Sequence, residues 1–224
     1  MGENNLPDSE LELEIQRNYD IQKALNEILR IMLEDLPMKD VLELIIDQII
    51  SIPWLSFESK GSISLVENDP DILVLKAQRR LPESLQKICS RVPFGTCICG
   101  RAALSGKIVF TDHLDKRHDN TYDGISPHGH YCVPILSNDI VLGVINLYVK
   151  EGHKQNKHEE EFLRAVADVL TSLLKRKEAE EKISQNLIEL EHWQTLTVGR
   201  ELKMIELKKQ ISNLEQRLEK HEPV

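Results

Sequence analysis

The stretch YCVPILSNDIVLGVINLYV, residues 131–149, reads as two strands, Tyr131 to Leu136 and Ile140 to Val149, joined through Ser137-Asn138-Asp139. Short polar residues of this kind make tight hairpin turns, and the β-branched and aromatic residues on either side suit a pleated surface. Upstream, Thr111 to Gly129 is polar and rich in Asp, His, Asn, Gly and Pro, which predicts a long loop. Loops of that length inside a domain tend to carry function. Downstream, a helix begins near Asn156 and runs far past Leu174.

Moving outward toward the N-terminus, Lys107 to Phe110 reads as a short strand and Ile98 to Ser105 as one or two helical turns. Pro93-Phe94-Gly95 is a turn, and Pro82 to about Cys89 a short helix. A second hairpin precedes them. Gly61 to Val66 alternates, with Ile63 and Leu65 on one face; Glu67 to Asp71 has turn composition, and Ile72 to Ala77 is the returning strand. Pro53 separates this hairpin from two amphipathic helices. The first, about Asp8 to Glu34 after a frayed start at residues 1–10 with Pro7, carries Ile21, Leu25, Ile28, Leu29 and Met32 at helical spacing. Pro37 opens the second, whose apolar positions are Val41, Leu44, Ile45, Ile49 and Ile52.

Composition narrows the function classes. The 224 residues hold 28 Lys and Arg against 37 Asp and Glu, a formal net charge of −9. Such a balance argues against a nucleic-acid partner, which needs clustered cations to displace counterions, and against an anionic membrane surface. Charged residues at 29% and aromatics at 4% suggest one core plus a long solvated element. No run reaches the ~20 apolar residues of a membrane span, since Val41 to Leu55 is interrupted by Glu43, Asp47, Gln48, Ser51 and Pro53. Met1-Gly2-Glu3-Asn4-Asn5 lacks the basic start of a signal peptide. The expectation is a cytoplasmic protein, in which Cys89, Cys97, Cys99 and Cys132 are buried thiols, metal ligands or redox groups rather than disulfides.

The final helix carries its own pattern. Ile183, Leu187 and Leu190 are spaced four and three, and Met204, Leu207, Ile211, Leu214 and Leu218 three, four, three and four, with Lys and Glu on the flanks. This predicts a coiled-coil seam in two stretches and a homodimer. Between them Trp193 to Gly199, with Thr195, Thr197 and Val198, reads as a hinge or stutter of weaker helix propensity.

In this order of elements the chain resembles a GAF domain. The residues that carry the resemblance are Ile63-Ser-Leu65, Leu73-Val-Leu75-Lys-Ala77, Leu81-Pro82, Val92-Pro-Phe-Gly95, Cys99-Gly-Arg-Ala-Ala103, Gly106-Lys-Ile-Val109, Val133-Pro-Ile135, Leu142-Gly-Val-Ile-Asn-Leu147 and Phe162 to Leu174. The resemblance implies an α+β, PAS-like fold. Its central antiparallel sheet has helices on one face and a ligand pocket on the other, walled by Thr111 to Gly129. It also implies that terminal helices pair with those of a second copy. The expected organisation is an N-terminal helix at 1–36, a GAF domain at 37–175 and a coiled-coil signalling helix at 176–224. Leu196 to Lys209 is similar to linker helices of bacterial histidine kinases, although no phosphoacceptor context or nucleotide-binding box is read in the sequence. The expectation is either action in trans on a partner, a histidine kinase or other signalling protein, or a lost effector.

Cys97-Ile-Cys99 and His128-Gly-His-Tyr-Cys132 are the chemically unusual residues, and the loop adds His113 and His118. Strand alternation puts His130 and Cys132 on one face. In the GAF arrangement both segments would border the pocket, so Cys97, Cys99, Cys132 and an imidazole from His118, His128 or His130, foremost His130, could hold zinc, iron or an iron–sulfur cluster. Core thiols with solvated histidines, and reversible thiol oxidation, are the two other readings of these residues. Haem is disfavoured, because no Cys-x-x-Cys-His motif is present and aromatics are scarce. The loop acids Asp112, Asp115, Asp119 and Asp123 need no role beyond solvation.

The expected function is a sensor that binds a small ligand or a metal or redox centre in the pocket and relays the change through the dimeric helix. It is expected not to be an enzyme. The alternative is a free methionine-R-sulfoxide reductase, since Cys89 to Gly100 resembles that branch of the family in placing a Cys ten residues before the Cys of its Phe-Gly-x-x-x-Cys-Gly segment. That resemblance places the branch's substrate-binding acids on His130, Asn146 and Tyr148, none of them a carboxylate. A Leu214→Glu substitution puts a charge in the seam and is expected to give monomers by light scattering; an unchanged mass would contradict the dimer.

Overall fold

The computed structural model describes residues 8–52, 54–55, 57–122 and 124–219. Pro53, Asp123 and residues 1–7 of the start expected at 1–10 lie outside the described residues, as does the side chain of Leu218.

Prolines mark two helix starts. Helix α1 (Asp8–Ile31) is followed by α2 (Met38–Ile50), which Pro37 precedes at φ −54°, a dihedral already close to helical. Ala24, Ile28 and Ile31 of α1 are buried, as are Val41, Leu42, Ile45, Ile46 and Ile49 of α2. Leu29, expected in the α1 stripe, is exposed, because the adjacent Ile28 holds the centre of the buried face.

Six strands follow: β1 (Phe57–Val66), β2 (Ile72–Arg79), β3 (Arg91–Pro93), β4 (Val109–Thr111), β5 (His128–Ser137) and β6 (Ile140–Lys150). Their order is β3-β2-β1-β6-β5-β4, with every neighbour antiparallel. Helix α3 (Glu83–Ile88) follows Pro82, and α4 (Cys97–Ser105) ends at Gly106, φ 62°. Helix α5 runs from Lys157 to Glu219. The β5–β6 turn fulfils its sequence pattern: Asn138 (φ 49°) and Asp139 (φ 65°) take the two left-handed positions of a hairpin connection, and Ser137 pairs with Ile140.

Four expectations change. β3 appears at Arg91–Pro93, where no strand was read and the turn was placed from Pro93, since three residues are too few to show a period; Val92 pairs with Leu73. β1 starts at Phe57, ahead of Gly61. His128 and Gly129 belong to β5 rather than to the loop, their pairing with Lys150 and Val149 winning over loop-like composition. The helix is continuous across Trp193 to Gly199. The Thr195 and Thr197 hydroxyls bond to the carbonyls of Glu191 and Trp193, four residues back, so a helix holds them without orphaned groups, and one glycine costs only about 1 kcal/mol.

Alternation divides the sheet into two faces. On one, Leu73, Cys132 and Val144 pack with Val92 and with Ile98, Ala102 and Ala103 of α4. On the other, Tyr131, Val133, Ile135, Ile145, Leu147 and Val149 are buried. Arg79 fastens β2 to α2 by a two-pronged pair with Asp47 (2.6 and 2.8 Å) and a contact with Glu43. Gly129 allows β4 to approach: a Cβ there would sit 2.2 Å from the Thr111 carbonyl oxygen.

Two compact units divide the chain, Met1–Leu173 and Leu174–Val224. The first contains the sheet and α1 to α4. α5 begins in it, with Phe162, Leu163, Val166, Leu170 and Leu173 buried, and continues through the second, where Ile183, Leu187 and Leu190 are exposed. No described helix is long and apolar enough to cross a membrane.

Candidate functional site

The alternation of β5 sends His128, His130 and Cys132 to the face that α4 covers. The segment 112–127 brings His118 to the same place. Its Nε2 lies 3.1 Å from His130 Nε2, and the two rings stack with centroids 5.1 Å apart. His128 meets both rings edge-on, at centroid distances of 5.4 Å and 4.7 Å. One ring nitrogen from each of the three lies within 4.8 Å of the others, and all three side chains are buried.

Neighbouring carbonyls decide which ring nitrogen carries the proton. His130 Nδ1 is 2.8 Å from Asn146 Oδ1, and His128 Nδ1 is 2.6 Å from the Ser126 carbonyl oxygen. These oxygens only accept, so each Nδ1 must donate, and each neutral ring keeps a bare Nε2. His128 Nε2 and His118 Nδ1 are buried without a hydrogen-bond partner. Burial pushes all three imidazoles below the ordinary histidine range. His130 is depressed furthest, by desolvation first and then by the neighbouring His128 and His118.

The thiols form a second group. Cys99 Sγ lies 3.6 Å from Cys132 Sγ, and Cys132 Sγ donates to the same Asn146 Oδ1 at 3.4 Å. A hydrogen-bonded chain therefore runs from His118 through His130, Asn146 and Cys132 to Cys99. Burial, then contact with Cys99, holds the Cys132 thiol well above its ordinary range. Cys89 receives a bond from Asn120 Nδ2 at 3.4 Å, and burial lifts its thiol to about 11. Cys97 sits at the start of α4 with φ 56°, a left-handed conformation that costs a non-glycine residue about 1 kcal/mol or more. Its backbone N–H donates to the Asp119 carboxylate at 2.6 Å, tying that turn to the loop.

Beside these groups lies a cavity of about 20 Å³, bordered by Cys89, Cys97, Cys99, His118, Asn120, His130, Asn146 and Tyr148. That is room for about one water molecule or ion, whereas ligand pockets for organic molecules are more than tenfold larger. A wider groove of about 600 Å³ runs past Lys107, Pro134 and Arg164, but it holds none of these buried groups.

The structure thus brings together His118, His128 and His130, and separately Cys99 with Cys132. Cys97 borders the cavity without joining either set. His113 stands apart, exposed and bonded to Asp112. The single mixed Cys and His set expected from the sequence resolves into two, because Asn146 lies between the imidazole of His130 and the thiol of Cys132. Sequence reasoning missed the bridging role of Asn146, as well as Asp119 and Asn120. A lone amide in the apolar run Val144-Ile145-Asn146-Leu147, opposite Cys132 in register, was the available signal.

The family model described as GAF domain matches residues 35–175, well over half of the chain. No curated protein matches the sequence. Among solved structures, the GAF domain from a phosphoenolpyruvate-protein phosphotransferase of Coxiella burnetii is 18% identical with a TM-score of 0.63, covering 73% of this chain and 98% of that one. The A. aeolicus nlh2 GAF domain in an inactive state is 18% identical with a TM-score of 0.57, covering 72% and 99%. The free methionine-R-sulfoxide reductase of Neisseria meningitidis in complex with its substrate is 19% identical with a TM-score of 0.57, covering 69% and 88%. At these identities the likeness is one of fold.

The depressed imidazoles make stability pH-dependent. Above about pH 6.5 these histidines are neutral whether folded or unfolded. Below it the unfolded chain takes up protons that the buried rings refuse, so stability falls as pH drops toward the folded values. Thermal melts are expected to show Tm declining from about pH 6.5 to pH 5, with a shallower slope in His130→Leu. An equal slope in the variant would contradict the assignment.

Proposed function

Because the chain belongs to the GAF domain family, we propose that it is a cytoplasmic signal-transduction sensor, binding a small ligand or a metal or redox centre in the cavity that His118 and Asn120 of the loop border, and relaying the change through a dimeric α5. The observation that carries this reading is the cavity itself. Buried polar groups are normally satisfied, and here His118, whose Nδ1 is buried without a partner, borders a space of about 20 Å³. A site of this size suits a ligand of one or a few atoms. Loop residues His118 and Asn120 border it, and Asp119 grips the start of α4, so a ligand there acts directly on the placement of the loop.

Support for the relay comes from α5. Ile183, Leu187, Leu190, Met204, Leu207, Ile211 and Leu214 are each 43–60% exposed, a seam with charged flanks that a second copy of the same helix would cover. A change of register along it, centred on Trp193 to Gly199, would be the two-state element that passes the signal to a histidine kinase or similar partner in trans. This reading makes the protein a non-enzymatic receiver of its ligand.

One observation favours a second reading, a methionine sulfoxide reductase. Cys99 and Cys132 are in contact at 3.6 Å. In such an enzyme a thiolate attacks the sulfoxide sulfur, methionine leaves, and the second thiol converts the resulting sulfenic acid to a disulfide with release of water. Against it, His130, Asn146 and Tyr148 offer the substrate ammonium no carboxylate, and burial holds the Cys132 thiol protonated.

Native mass spectrometry of the full chain, purified anaerobically, with hydrogen exchange on the same sample, tests the proposal. The expected result is a dimer carrying one low-mass species per protomer, with exchange in residues 112–127 and in α5 slower than in stripped protein. A ligand-free protein whose native and stripped forms exchange alike would overturn it. Turnover of methionine sulfoxide with a thiol reductant would favour the reductase instead.

A further inference from the structure

Resting on the reading of this cavity as a ligand site, we infer that His118, His128 and His130 together bind one divalent first-row transition metal ion, zinc or ferrous iron, through three imidazole nitrogens. Ligands about 2.0–2.1 Å from a tetrahedral zinc stand roughly 3.4 Å from one another. The pair at 3.1 Å and the overall spread of 4.8 Å are within a small side-chain adjustment of that arrangement. Among the described residues no other group of three potential ligands converges in this way.

The orientation of the rings is prepared. A metal-bound imidazole ordinarily donates its other N–H to a carbonyl or carboxylate, which fixes both the tautomer and the direction of the lone pair. Asn146 Oδ1 does this for His130 and the Ser126 carbonyl does it for His128. His128 Nε2 is thereby left bare and buried, with no protein partner. A purely hydrogen-bonded cluster accounts for less: His118 Nε2–H can donate to His130 Nε2, but nothing then answers His128 Nε2.

The donor set also limits the ion. Three nitrogen ligands without a carboxylate suit borderline metals such as zinc and ferrous iron rather than magnesium or calcium. Three protein ligands leave a fourth position open, the arrangement of metal centres that exchange a small ligand. His118 and His130 border the cavity of about 20 Å³, which has room for one water, hydroxide or small diatomic molecule. The Cys99–Cys132 pair stands outside the set but shares Asn146 with it. Asn146 is then a positioning residue whose oxygen holds both groups.

The full chain, stripped by chelation and kept reduced and anaerobic, is titrated with Co²⁺ alone and then with Zn²⁺ alone. The inference expects one Co²⁺ per protomer with visible ligand-field bands, no strong near-ultraviolet thiolate charge-transfer band, and displacement by one equivalent of Zn²⁺. Cys99→Ser, Cys132→Ser and His113→Ala keep this binding, while His128→Gln and His130→Ala lose it with their folds verified by circular dichroism. Asn146→Ala weakens it about 10- to 100-fold, and Asn146→Asp, which retains an acceptor, restores it. Three results would overturn the inference: no cobalt bound by folded protein, a thiolate band that disappears in Cys99→Ser, or undiminished binding in His128→Gln. If cobalt fails while native mass spectrometry still finds a low-mass adduct, the metal is wrong and the ligand cavity stands; if both fail, both readings fall.

Discussion

A single amide oxygen, Asn146 Oδ1, accepts from the imidazole of His130 and from the thiol of Cys132 in a strand whose adjoining Val144, Ile145 and Leu147 are buried and apolar. An amide buried without partners costs on the order of 1–3 kcal/mol, so this residue constrains what surrounds it. It requires a donor at His130 Nδ1, which fixes the tautomer and turns Nε2 toward His118. It requires Cys132 to remain a thiol, which agrees with the burial of that side chain. The register Cys132 opposite Asn146 and His130 opposite Tyr148 in β5 and β6 is what allows one oxygen to serve both.

The loop depends on the same constraint at one remove. His118 reaches the imidazole cluster from within residues 112–127, and the next residue, Asp119, accepts from the Cys97 N–H. The left-handed conformation of Cys97 is strained for a side-chain-bearing residue, and that hydrogen bond to a carboxylate is one of the contacts that offsets it. Loop, α4 and β5 are therefore joined through polar contacts at one end of the cavity. Within the same loop, Asp115 is held to about 2 chiefly by its hydrogen bond with Arg117, and so remains a fixed anion.

Much of the fold was legible because its punctuation is local. Pro37 and Pro82 precede helices, Asn138 and Asp139 occupy left-handed turn positions, and the apolar spacing of α2 follows from 3.6 residues per turn. β3 was not legible, because Arg91–Pro93 is defined by pairing with β2 and not by its own pattern. His128 reads as loop for a similar reason: only the ladder to Lys150 makes it strand. At the site, residue types were legible and their grouping was not. Alternation placed His130 and Cys132 on one face, but His118 arrives through loop geometry that carries no period, and Asn146 hides in an apolar strand. The interruption read at Trp193 to Gly199 is absorbed by threonine back-bonding in a continuous helix.

The account turns on buried, neutral imidazoles with preset tautomers. Long-range ¹H–¹⁵N correlation spectra of the histidine rings, recorded on metal-free protein from about pH 7.5 to 5.5, measure this directly. The account predicts that His130 remains neutral throughout that range, that His128 takes up its proton below the ordinary histidine value, and that both rings are the Nδ1–H tautomer while neutral. An Nε2–H tautomer at either ring, or titration of His130 near the ordinary value of about 6.5, would contradict it.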